Sequence, residues 1–235
     1  MKTTILKPAI FAVLILMVFT ETTAQSAFTE IYPNIKVAIS SEKLNTNQYS
    51  SKFKGSILDY TEAKTDGTQI QAKAYRRNSN IEIFERPAYP AIHTIYKEFY
   101  PNGSLKQKGV LLPLQVKVGK WIECDARGNC SIIDHESGRN AFGYNDVLEY
   151  LEFEGVYNKI DGNIWKCTFW YTPESKTWGV RVDKNGHQYK MFNFNSTGRE
   201  EVKEFDLSGN SNTATPVGSF EQNEDTDGLK NRTNR

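Results

Sequence analysis

The segment from Lys97 to Ile132 constrains this chain most, because an aromatic-led turn occurs in it twice. The first copy is Phe99-Tyr100-Pro101-Asn102-Gly103-Ser104-Leu105. The second, looser copy is Cys124-Asp125-Ala126-Arg127-Gly128-Asn129-Cys130, and Val118-Gly119-Lys120-Trp121 lies between them. Asn102-Gly103 between apolar flanks is a strong turn signal, since both residues tolerate positive φ. A glycine-punctuated period of the length from Gly103 to Gly128 predicts successive hairpins that bury their faces on their neighbours. The segment reads as β-hairpins and not as a catalytic centre.

Strand-like runs surround it. Upstream, Ile35–Ile39, Ile70–Tyr75 and Ile81–Phe84 are short and apolar or alternating, and the turn formers Asn45-Thr46-Asn47, Asp66-Gly67 and Asn78-Ser79-Asn80 separate them. That pattern predicts strands joined by turns. Arg86-Pro87-Ala88-Tyr89-Pro90 predicts a loop or an edge crossing, because proline donates nothing to a ladder. Downstream, Val147, Leu148 and Leu151 share one face of a short helix. Asn145 is its expected N-cap, Asp146 and Glu149 suit its first turns, and Gly155 is its stop. Three further runs follow, Ile164–Tyr171, Thr177–Val182 and Gln188–Phe194, with Lys184-Asn185-Gly186 as a type I′ turn between the last two. The expected fold class is α+β, mostly β: antiparallel β-hairpin repeats followed by a short helix and an antiparallel meander.

The N-terminus carries an address. Lys2 and Lys7 precede the apolar run Ala9–Phe19, and Thr22-Thr23-Ala24 supplies small residues for cleavage. This is the pattern of a secretory signal peptide over residues 1–24. The run is shorter than the roughly 20 residues a helix needs to span a bilayer. The expected protein is therefore exported, periplasmic or extracellular, with no membrane span after cleavage. Without Lys2, Lys7 and Glu21, the 29 basic and 28 acidic residues of the chain balance. A neutral chain has no electrostatic footprint for nucleic acid or an anionic surface. The expected organisation beyond the signal is a β-rich domain over 25–142 and an α+β module over 143–207. Residues 208–235, rich in Gly, Ser, Asn, Thr and acids, predict a disordered tail.

Export permits a disulfide. Cys124 and Cys130 flank a turn and can face each other across a hairpin. In the repeat register they fall where Phe99 and Leu105 sit, so two unlinked thiols replacing an apolar pair is the equal alternative. Cys167 alternates with Trp165, Phe169 and Tyr171 and reads as a buried thiol.

Tyr100-Pro101-Asn102-Gly103-Ser104-Leu105, then Gly119-Lys120-Trp121, then Gly128, resembles the variant MORN repeat of secreted and antitoxin-like bacterial proteins. The repeat-motif residues are Tyr100, Gly103, Leu105, Gly119, Trp121 and Gly128. The second copy departs from the pattern where Cys124 or Asp125 stands for the aromatic and Cys130 for the leucine. The resemblance implies an exported β-rich module. Trp178-Gly179-Val180-Arg181-Val182, Asn185-Gly186, Tyr189 and Gly198 resemble the PepSY-type α+β modules of the bacterial envelope.

No G-x-S-x-G, HExxH, P-loop or dinucleotide fingerprint occurs. Asp134-His135-Glu136 is the most tempting chemical cluster. Strand alternation puts its acids on one face and its histidine on the other, which reads as a solvated strand end. Cys124, Cys130 and His135 match no zinc spacing. No cofactor, metal or catalytic residue is expected. Trp165, Phe169 and Tyr171 read as core, which leaves Trp170 and Trp178 as the surface aromatics expected to bind a protein or glycan. The leading expectation is an exported, non-enzymatic binding or scaffolding protein of the cell envelope. The alternatives are an immunity or inhibitor protein reaching into a toxin or hydrolase with Asp134–Glu136 or Tyr144–Glu154, and an envelope hydrolase using Asp134 and Glu136.

Overall fold

A computed structural model describes residues 27–88, 91–139, 142–156, 166–183, 188–198, 200–206 and 215–220. The signal peptide, Trp165, the Asn185-Gly186 turn and His187 lie outside the described residues. Among the described residues the fold is mostly β with one α-helix, in line with the hairpin pattern of the sequence. A two-stranded hairpin, β1 (Ala27–Ile31) and β2 (Ile35–Ile39), comes first, followed by a 3-10 helix (Thr46–Lys52). Seven antiparallel strands then run in sequence order: β3 (Leu58–Ala63), β4 (Gln69–Ala74), β5 (Ile81–Arg86), β6 (Thr94–Phe99), β7 (Leu105–Leu112), β8 (Val116–Cys124) and β9 (Cys130–Asp134). Helix α1 (Tyr144–Phe153) leads into a second antiparallel meander. Its strands are β10 (Lys166–Thr172), β11 (Thr177–Asp183), β12 (Gln188–Phe194), β13 (Glu200–Asp206) and β14 (Thr215–Phe220).

The repeated turn is a repeated hydrogen-bond pattern. In the first copy the Tyr100 amide donates to Ser104 O (2.9 Å) and the Gly103 amide to Tyr100 O (2.8 Å). In the second, Asp125 donates to Asn129 O (2.9 Å) and Gly128 to Asp125 O (3.0 Å). The β3–β4 connection repeats it a third time, with Lys64 donating to Thr68 O (2.8 Å) and Gly67 to Lys64 O (3.0 Å). The three glycines have φ of 81°, 90° and 85°, the left-handed region that glycine enters without a Cβ penalty. The third copy lacks an aromatic lead, so only its Asp66-Gly67 pair betrays it in the sequence.

The larger of two apolar clusters joins the first hairpin, the large sheet, α1 and the second sheet, and a smaller one gathers Tyr96, Leu111 and Trp121. The larger contains Ile31 and Ile39 of the first hairpin, Phe99, Val110 and Val118 of the large sheet, Val147, Leu148 and Leu151 of α1, and Phe169, Val180 and Phe192 of the second sheet. Residues on both sides of the expected boundary at 142/143 contribute to the larger cluster. The β1–β2 hairpin rests on β7 and β8. Thr29 Oγ1 donates to Lys120 O (2.7 Å) and accepts from Lys120 N (2.8 Å). A side chain at Gly119 would collide with Thr29, so this glycine admits β1 to the sheet.

Two expectations are corrected here. The N-cap of α1 is Gly143 and not Asn145: the Asp146 carboxylate reaches back to accept from the Gly143 amide (2.6 Å). Asn145 instead ties α1 to β1, accepting from Tyr32 N (2.8 Å) and donating to Glu30 O (3.0 Å). The proposed tail is not wholly without structure, since residues 215–220 form β14 against β13. Ladder pairing needs only main-chain groups, and Pro216 is tolerated because β14 is an edge strand. Residues 208–214 and 221–235 lie outside the described residues.

Candidate functional site

The antiparallel meander brings the 75–80, 100–104 and 125–129 turns to one end of the large sheet. The 3-10 helix packs at that end, and between them is a half-open cleft of about 210 Å³. Thr46 and Ser50 line it from the helix, Phe53 from just beyond its end, Arg77 and Ser79 from the β4–β5 connection, Ile81 from the start of β5, and Pro101 from the first repeat turn. Arg77 is held at two points. Its Nε donates to Gly55 O (3.2 Å), and its guanidinium lies over the Phe53 ring, 5.1 Å from the centroid. Among the described residues it pairs with no carboxylate. Beside it, Ile57 and Tyr75 follow directly beyond the Leu58–Ala74 pair of β3 and β4. They are 54% and 76% exposed, an apolar pair at the same sheet end, and by alternation from the buried Leu58 and Ala74 they lie on the outer face of the sheet.

The two expected surface tryptophans divide. Trp178 is only 1% exposed, which corrects its assignment to the surface. The register pairs it with Tyr171, and directly opposed residues of an antiparallel pair point to the same face, here the core face of Cys167 and Phe169. Trp170 is paired with Gly179 on the opposite face and is half-buried. Its indole occupies the space a Cβ on Gly179 would need. Burial pushes the Cys167 thiol up to about 12.

The Asp134-His135-Glu136 cluster sits at the other end of the large sheet, and of the three only Asp134 is a solvated strand end. The strand stops at Asp134, whose Oδ1 accepts from the Glu136 amide (2.9 Å). Glu136 turns inward. It accepts from the Gly119 amide (3.0 Å) and from Arg139 Nη1 (2.8 Å), and burial pushes its carboxyl above the usual range. Arg139 also donates to Lys117 O (3.1 Å) and stacks over Tyr171 (4.7 Å) and Trp178 (5.1 Å). It thereby bolts the two sheets together. His135 faces elsewhere, edge-on to Trp121 at 5.6 Å, and burial pulls its imidazole below the ordinary histidine range. Carboxylate and imidazole are thus committed to separate surroundings. Arg139 went unnoticed in the sequence, where the only trace of its role is its spacing from Glu136.

The motif residues carry structural weight. Trp121 is fully buried over Gly109, whose missing side chain makes room for the indole, and its Nε1 donates to Val118 O (3.2 Å). Lys117 caps the ring from 4.2 Å and Tyr96 flanks it at 6.0 Å. The Tyr100 hydroxyl donates to Cys124 O (3.0 Å), linking the two repeat turns. Leu105 is buried opposite Phe99. Gly103 is closed in by Leu44 O, while Gly128 faces open space. Cys124 and Cys130 form a disulfide, so neither offers a thiolate to a metal.

Glu98 and His93 are also buried. Glu98 is held below the usual carboxylate range: burial alone would raise it, but donors from Asn80 (2.7 Å), Gln107 (2.6 Å) and Lys106 (2.9 Å) outweigh that. Burial pulls His93 down to about 4, which keeps it neutral at pH 7. Among the described residues no helix is long and apolar enough to cross a membrane. Comparison with family models, curated proteins and solved structures finds no match to this chain.

Proposed function

We propose that this chain is an exported, non-enzymatic binding or scaffolding protein of the cell envelope, with a protein or glycan partner. The observation that carries the reading is the exposed apolar pair Tyr75 and Ile57 at the end of the large sheet that also bears the cleft. Large exposed rings on a fixed scaffold bind at low entropy cost. Half-buried Trp170 is a second contact on the other sheet. The signal-like N-terminus and the MORN-like turn, which occurs twice and whose backbone pattern occurs a third time at 64–68, support the exported β-module part of the reading. The hydrolase alternative loses support because Glu136 is clamped by Gly119 and Arg139 while His135 packs on Trp121. The immunity alternative loses one of its acidic segments for the same reason.

Affinity capture from the envelope fraction tests the proposal, with the disulfide-bonded full chain as bait beside a Tyr75→Ser/Ile57→Ser variant and a Trp170→Ala variant. A single stoichiometric partner, lost with the first variant, is expected. A partner kept by both variants moves the interface off these residues, and capture of nothing overturns the reading.

A further inference from the structure

We infer that the cleft at Arg77 is a receptor for a carboxylate, specifically the free C-terminal carboxylate of a peptide whose last side chain is apolar. The inference rests on the binding reading and deepens it by naming the partner's chemistry. Arg77 supplies the charge. Arg77 is exposed; its Nε donates to Gly55 O and its face lies over Phe53, which leaves its Nη groups uncommitted among the described residues. A planar fork presented in this way suits two parallel bonds to a carboxylate.

The remaining lining selects what the carboxylate is attached to. Phe53, Ile81 and Pro101 make an apolar wall, and Thr46 and Ser50 bring two hydroxyls for which the described residues show no hydrogen bond. The volume of about 210 Å³ falls below the roughly 300–1,000 Å³ of sites that enclose whole small molecules. It suits an end group whose chain continues outside the cleft. Capture of a chain-terminal carboxylate is an established mode of peptide recognition. A uronic sugar brings the same carboxylate, but two hydroxyls and an apolar wall cannot satisfy its ring hydroxyls, and each buried unpaired polar group weakens binding.

Amide-shift titration of the full chain with acetyl-Ala-Leu tests the inference, beside the same dipeptide as its C-terminal amide, and glucuronate. The acid should give saturable shifts at Arg77, Ser79 and Gly103. The amide and glucuronate should bind about tenfold more weakly or worse. Arg77→Gln should abolish the response while the melting transition stays in place, and Arg77→Lys should restore only part of it, because a point charge replaces the fork. Equal binding of acid and amide, tighter binding of glucuronate, or no shift with acid at concentrations on the order of 10 mM overturns the inference. The captured partner separates this failure from failure of the binding reading. A partner lost with Tyr75→Ser/Ile57→Ser but kept by Arg77→Gln leaves the apolar pair standing and removes the carboxylate.

Discussion

The hairpin at Gly103 and the hairpin at Gly128 share one turn geometry but are secured by different means. In the first, Phe99 faces Leu105 in the middle of the sheet, both buried, and the segment at Leu44 closes over the turn by donating to Gly103 O (2.8 Å). In the second, Cys124 faces Cys130 at the same two positions, but β9 is an edge strand with most of its residues exposed. An edge hairpin has no neighbour under which to hide a large apolar pair. A covalent link needs no such cover, and it holds the last strand of the sheet where burial cannot. The backbone pattern is thus transferable along the chain, while the means of holding it depends on the position in the sheet.

The largest test of this contrast is Phe99→Ala, which should cost about 3–5 kcal/mol in a denaturant titration, through the cavity left in a closed core. Gly103→Ala comes next, at about 3 kcal/mol, because it combines left-handed strain with a collision against a backbone oxygen that has no room to retreat. Cys130→Ser should cost about 2 kcal/mol, the closure entropy of a short loop, and leave the rest of the sheet protected in hydrogen exchange. Gly128→Ala, at the same turn position as Gly103 but facing open space, should cost only about 1 kcal/mol. If the two glycine variants proved equally costly, closure by Leu44 would not distinguish the hairpins.

Local chemistry was legible and long-range pairing was not. Turns at Asn102-Gly103, Asp66-Gly67 and Gly128 can be read from three or four consecutive residues, because positive φ and side-chain capping act at that range. The helix face of Val147, Leu148 and Leu151 is equally local. The fate of Trp178 depends instead on its cross-strand partner. Opposite Tyr171 it enters the core, whereas Trp170, eight positions earlier in the chain, looks outward. Glu136 resembled a strand end because its clamp, Arg139 with the Gly119 amide, forms only once β8 is in place. Asn145 resembled a cap because its true partners, Glu30 and Tyr32, lie more than a hundred residues away. The cleft at Arg77 was invisible for the same reason, since its walls come from three separated stretches of chain. The β14 strand was missed because composition reports side chains, and an edge ladder needs only backbone.

The seat of the first hairpin on β8 has a consequence for the order of assembly. Within each sheet, every strand among the described residues pairs with its neighbours in sequence, so each new strand can form its ladder as soon as it leaves the ribosome. The bonds from Thr29 to Lys120 span 91 residues and cannot close until the seventh and eighth strands have emerged. The part of the domain that appears first is therefore among the last to find its place, and during that interval Ile31, Val37 and Ile39 have no sheet to cover them.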